Sequence, residues 1–179
     1  MIHPSAIINQ PVIIGKNVDI MENVVIGTNP VAYEGTIGVN RVIPLKGVEL
    51  GDNVVIHAGA QVVKGLTRDT IISENCVLGQ QVLIGHDCFL GRGVRLMVRC
   101  TLSGYVEVGE GSMICAGVVV RERVKIGKGC VIGMGSTVTH DIPDNTMAYN
   151  VTKNNEAVRC RPIKTVRSGF KQWIRNMLV

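Results

Sequence analysis

"ISENCVLGQQVLIGHDCFLGRGVRLMVRCTL", residues 72–102, repeats itself every six residues. Ile72, Leu78, Ile84, Leu90, Leu96 and Leu102 mark the period. Val108, Ile114, Val120, Ile126, Ile132 and Val138 carry it on without a miss. Four places after each comes a mostly small or β-branched residue, such as Cys76, Val82, Cys88, Val94 and Cys100. Upstream, Ile2, Ile8, Ile14, Ile20 and Ile26 share one frame, which Leu50, Ile56 and Val62 resume after a gap. A helix needs a period of about 3.6 and a lone strand a period of about 2. A unit of six with two inward positions is a short strand plus a corner. Glycine, which takes corner conformations other residues resist, follows the aliphatic directly at Gly79, Gly85, Gly91, Gly109, Gly127 and Gly133. Stacked units of this kind form a parallel β-helix.

The rest of the 179 residues agrees with an all-β chain of one domain. Apolar residues make up 46% and aromatics only 3%, so the core is expected to be aliphatic. Two segments break the period. Residues 28–47 keep the length in phase but lose the pattern, and residues 64–70 add extra length. Both are expected to loop out of the prism, where functional groups commonly sit. Six cysteines occur without a C-x-x-C or a zinc-finger spacing. Cys76, Cys88, Cys100 and Cys130 fall on the small inward position, which assigns them to packing rather than to a metal or disulfide.

Charge is unevenly placed. Six basic residues and no acidic ones lie in 159–179, which leaves the remainder near neutral. With few aromatics as well, a nucleic-acid face is not expected. No stretch is long and apolar enough to span a membrane, and no signal peptide is read at the start, so the expected location is the cytoplasm.

Within this frame the histidines can be placed. His86 and His140 are 54 residues apart, three coils if a coil takes about 18 residues, and so roughly 14 Å apart on one edge. They cannot share a metal, and His57 lies before a phase break with its column unassigned. His3 and His140 read as structural. His86 stands beside Asp87, a carboxylate able to fix its tautomer. One coil on lies Gly104, whose unobstructed N–H suits an oxyanion site. Next on that edge come Tyr105 and then Glu122 and Arg123. Lys64 and Arg68, on the second loop, are candidates for a diphosphate.

Hexapeptide repeats of this form resemble the left-handed parallel β-helix, and the handedness expected here comes from that resemblance. "IHAGAQVVKGLTRDTIISENCVLGQQVLIGHDCFLG" and "RVIPLKGVELGDNV" resemble segments of UDP-3-O-acylglucosamine N-acyltransferases. The "IGHDC" turn is similar to those of UDP-N-acetylglucosamine O-acyltransferases and nucleotide-aminosugar N-acetyltransferases. The likeness covers residues 2–147 or so. It implies His86 as general base, Asp87 as its orienting partner, Gly104 as oxyanion donor, and a homotrimer with sites between prisms. The extra N-terminal and C-terminal domains of the lipid A enzymes have no counterpart here, so a smaller relative is expected. That relative would move a short acyl group from acyl-CoA to the amine of a nucleotide-linked amino sugar, with no tightly bound cofactor. An acyl-carrier-protein-dependent enzyme and a non-catalytic β-helical scaffold are the alternatives.

Residues 1–147 are thus read as the β-helix and 148–179 as an extension. In the extension, Val166, Phe170, Trp173, Ile174 and Met177 share one face of a short helix. Its basic opposite face allows two roles, a cap on the open prism end or a weak membrane-surface contact.

Overall fold

The computed structural model of the chain describes residues 1–30, 46–149 and 159–162. Every regular element among them is a strand. The chain visits three sheets in rotation. Sheet one stacks Ile7–Ile8, Val25–Thr28, Gln61–Val63, Leu83–Ile84, Thr101–Leu102, Val119–Val120 and Thr137–Val138. Sheet two stacks Val12–Ile14, Val48–Leu50, Thr70–Ile72, Phe89–Leu90, Glu107–Val108 and Lys125–Ile126. Sheet three stacks Asp19–Ile20, Val55–Ile56, Val77–Leu78, Arg95–Leu96, Met113–Ile114, Val131–Ile132 and Thr146–Tyr149. All these pairings are parallel. Only Arg159–Pro162 runs antiparallel, closing sheet three against Thr146–Tyr149. The fold is a parallel β-solenoid, as the hexads require.

The inward positions are those read from the period. The twelve aliphatics from Ile72 to Val138 are all at most 2% exposed. Cys76, Cys88, Cys100 and Cys130 are buried beside them and free. Burial pushes the Cys88 thiol up to about 12 and the Cys100 thiol up to about 11, so these sulfurs pack rather than react. Ser112 fits the same slot because its Oγ donates to the Gly127 carbonyl and accepts from the Cys130 N–H.

Register explains both breaks in the period. Leu83 pairs with Thr101, 18 residues on, which is one coil. Leu83 pairs with Gln61, 22 residues back, so residues 64–69 hold a four-residue insertion. Val25 pairs directly with Gln61, 36 residues on. The first break is therefore a coil's length of chain that adds no coil, which is why the frame stays in phase. Most of that loop lies outside the described residues. Both insertions leave the edge between sheets one and two, in consecutive coils. The next coil on that edge carries His86.

The edge between sheets two and three is built differently. Asn17, Asn53 and Asn75 occupy left-handed corners with φ of 54, 57 and 61°. Asn17 Nδ2 donates to Asn53 Oδ1 at 3.3 Å, and Asn53 Nδ2 to Asn75 Oδ1 at 3.2 Å. Gly93 follows in the same conformation, with open space where a Cβ would stand. Gly93→Asn is expected to extend the ladder by accepting from the Asn75 amide. It also removes a glycine's freedom from the unfolded chain. A gain of about 0.5 kcal/mol is expected, read as a rise in Tm.

The proposed C-terminal helix, with its cap or membrane-surface role, lies outside the described residues. No helix among the described residues is long and apolar enough to cross a membrane.

Candidate functional site

His86 sits on the corner between Leu83–Ile84 and Phe89–Leu90, with its side chain 24% exposed. Its Nδ1 lies 2.8 Å from Asp87 Oδ2. Asp87 is fully buried, although it occupies a corner in the left-handed conformation, φ 58°. The four-residue insertion accounts for this. Asp87 Oδ1 accepts from the Thr67 N–H at 2.7 Å, the Thr67 hydroxyl at 2.6 Å and the Arg68 N–H at 2.8 Å. Oδ2 accepts from the Leu66 N–H at 2.7 Å. Burial alone would raise this carboxyl's pKa. The Thr67 hydroxyl and the three N–H groups outweigh burial and hold it well below the usual carboxylate range. Asp87 is thus an ionised, acceptor-only group. The His86 Nδ1 facing it must carry a proton, so in the neutral ring Nε2 is an open acceptor.

Gly104 lies one coil on, against the ring. A Cβ on Gly104 would stand 2.6 Å from His86 Nε2 and 2.5 Å from Cε1, so no larger residue fits without moving the imidazole. Among the described residues the Gly104 N–H has no acceptor. Tyr105 packs edge-on to His86, with centroids 5.1 Å apart and an interplanar angle of 88°. The Arg123 guanidinium carbon lies 4.3 Å from the centre of the Tyr105 ring. Tyr105 and Arg123 both hold φ near 62°. Left-handed backbone costs such residues roughly 1–2 kcal/mol, and strain of this kind concentrates at functional sites. The stack of imidazole, phenol and guanidinium runs across three coils.

The other candidates divide. Arg68 reaches the edge, but its Nε donates to the Asp87 carbonyl at 3.0 Å and its guanidinium pairs with Glu107 at 3.1 Å. Glu107 also pairs with Lys125 at 3.2 Å. Partial burial would raise the Glu107 pKa, but Lys125 and Arg68 outweigh it and lower it. Lys64 is 9% exposed, its stem laid against Gly27, and no carboxylate pairs with it among the described residues. Glu122 is exposed at the far end of the edge. His140 lies on the same edge, its Nδ1 2.9 Å from Thr139 Oγ1. His57 falls on the edge between sheets three and one, away from His86. No cluster of three or more metal-ligating side chains occurs among the described residues. An open cavity of about 410 Å³ beside Glu107 is lined by Phe89, Lys125, Lys128, Pro143 and Asp144.

Thr67 and the backbone of 66–68 are functional groups that sequence reasoning missed. The available signal was an insertion one coil ahead of a histidine–aspartate pair.

Comparison with known proteins agrees with this architecture. The family described as "Hexapeptide repeat of succinyl-transferase" matches residues 11–64 and 81–122. "Bacterial transferase hexapeptide (six repeats)" matches residues 105–140. A UDP-3-O-acylglucosamine N-acyltransferase of Janthinobacterium sp. (strain Marseille) is 28% identical over 167 residues, covering 89% of this chain and 48% of the relative. An acyl-[acyl-carrier-protein]–UDP-N-acetylglucosamine O-acyltransferase of Aliivibrio fischeri (strain MJ11) is 28% identical over 128 residues, covering 70% of this chain and 46% of the relative. The chain therefore spans about half the length of the curated relatives it matches. Among solved structures, perosamine N-acetyltransferase from Caulobacter crescentus is similar at 25% identity and a TM-score of 0.55. That structure is a histidine-to-asparagine mutant with CoA and GDP-perosamine, and the match covers 89% of this chain and 55% of that one. UDP-N-acetylglucosamine acyltransferase from Campylobacter jejuni shares the fold at a TM-score of 0.71 and 22% identity, covering 99% of this chain and 81% of that one.

Proposed function

The chain belongs to the bacterial hexapeptide-repeat transferase family, and from that premise we propose that it is an N-acyltransferase with His86 as general base. It moves a short acyl group, acetyl in the simplest case, from acyl-CoA to the amine of a nucleotide-linked amino sugar. The observation that carries this reading is the His86–Asp87 pair, with a buried carboxylate on Nδ1 and an open Nε2 above Gly104. The relatives named above act on UDP-linked sugars, and one was solved with CoA and a GDP-linked sugar.

The chemistry follows from the pair. The amine lone pair attacks the thioester carbonyl carbon, and a C–N bond forms. His86 Nε2 takes the proton that the nitrogen must lose. The imidazolium is stabilised by Asp87, which keeps its charge. The carbonyl oxygen becomes an oxyanion, and the Gly104 N–H donates to it. Collapse of the intermediate breaks the C–S bond, and the imidazolium returns its proton to the departing sulfur. Tyr105 and Arg123 contribute a stacking surface for the acceptor. Lys64 meets a phosphate of the nucleotide, and Arg68 does so on leaving Glu107. Glu122 contacts the acceptor sugar. The active unit in this reading is a homotrimer, with each His86 edge facing a neighbouring prism.

The test is transfer from acetyl-CoA to a panel of UDP- and GDP-linked amino sugars, followed by thiol release and product mass. Saturable transfer to at least one acceptor is expected. Transfer only from an acyl-carrier protein would replace this reading with the lipid A type. A folded protein inert with every donor would leave the scaffold.

A further inference from the structure

The insertion at 64–69 stands one coil ahead of His86 on the same edge, and its backbone is wrapped around one carboxylate. In later coils the corner residue equivalent to Asp87 faces outward: Tyr105 is half-buried and Arg123 exposed. Asp87 is buried because Leu66, Thr67 and Arg68 close over it. The closure is tight, since a Cβ on Gly65 would fall on the Arg68 carbonyl oxygen.

The donors are divided between the two oxygens. Oδ1 receives both the N–H and the hydroxyl of Thr67 and the N–H of Arg68. Oδ2 receives the Leu66 N–H and faces His86. No ammonium or guanidinium among the described residues bonds to this carboxylate. Arg68 spends its guanidinium on Glu107 and the Asp87 carbonyl, and Arg123 lies on Tyr105. Neutral dipoles hold the charge without cancelling it, so His86 is its one titratable partner.

We propose that Thr67 is a positioning residue for the His86 base, and the 64–69 insertion a positioning loop. The Thr67 hydroxyl and the loop's N–H groups aim Asp87 Oδ2 at His86 Nδ1. This rests on the acyltransferase reading for what the base does, but the placement of the proton on His86 is a separate claim. Without the hydroxyl, Oδ1 loses a donor and the carboxylate's charge is less dispersed. The imidazolium form of His86 then gains relative to the neutral form.

The experiment uses full-length protein labelled with ¹⁵N-histidine, with His86→Gln identifying the His86 resonances. The wild type is expected to show a protonated Nδ1 and a bare Nε2 in the neutral ring. Thr67→Val is expected to move the His86 titration up by about half a pH unit or more. The acid limb of the kcat/KM profile for acetyl transfer should move with it. Turnover at slightly acid pH should fall roughly tenfold, with donor KM little changed, and Thr67→Ser should restore all three. An unchanged His86 titration in folded Thr67→Val would overturn the proposal. So would a wild-type ring whose neutral form carries its proton on Nε2, a result that needs no variant. If the nitrogens behave as expected but no acyl transfer is found with any donor, the acyltransferase reading fails and the positioning claim stands.

Discussion

His86→Ala is expected to lower kcat for acetyl transfer at least about 100-fold, in line with the usual contribution of a positioned base. The fold should survive. The ring is a corner side chain whose contacts are one hydrogen bond to Asp87, the edge of Tyr105 and the face of Gly104. None of the inward aliphatics depends on it. Asp87 keeps its four donors from the loop after the ring is gone. The melting temperature should therefore move by only a few degrees, and size-exclusion behaviour should match that of the wild type. The loss should fall on kcat rather than on donor KM, because the proton moves only once both substrates are bound. Near-wild-type turnover in such a folded variant would reject the base and favour the scaffold.

The fold was legible because a six-residue period leaves little choice. Ile84 and Leu102 had to point inward for any coil to close, and both are fully buried. The column of His86, Gly104 and Glu122 followed from the same arithmetic, since one coil is a fixed length of chain. Three things were not legible. His57 could not be placed, because the phase break before Ile72 hides which edge it occupies. The 28–47 segment looked like a coil that had lost its pattern, because its extra length equals one coil. Only the pairing of Val25 with Gln61 shows that no coil was added. The environment of Asp87 was hidden for a different reason. Its partners are backbone N–H groups, which every residue has and no sequence motif records. An aspartate at a corner reads as a solvated turn residue, and only the insertion folded over it makes it a buried anion.

Asp87→Asn is expected to be the more damaging of the two substitutions, because it reverses a hydrogen-bond polarity at both ends. The amide oxygen can still accept from Thr67 and Arg68. The amide nitrogen then faces the Leu66 N–H, donor against donor, at a fully buried site. A stability loss of about 2 kcal/mol is expected at neutral pH. Towards His86 the same nitrogen donates where the carboxylate accepted. Nδ1 becomes the acceptor, the proton moves to Nε2, and the base is lost with the ring still in place. The expected fall in kcat is at least about 100-fold, like that of His86→Ala, but here with a destabilised fold. The pH dependence separates the charge from the shape. A carboxyl whose pKa is depressed by folding stabilises the native state fully above its ordinary value of about 3.9. That contribution shrinks as pH falls below the ordinary value and ends only below the depressed one. Denaturant melts should therefore show wild type and Asp87→Asn furthest apart at pH 5 to 7. The gap should close progressively below about pH 4. A gap that stays constant down to strongly acid pH would mean that packing, not the ionised carboxylate, holds the 64–69 loop over His86.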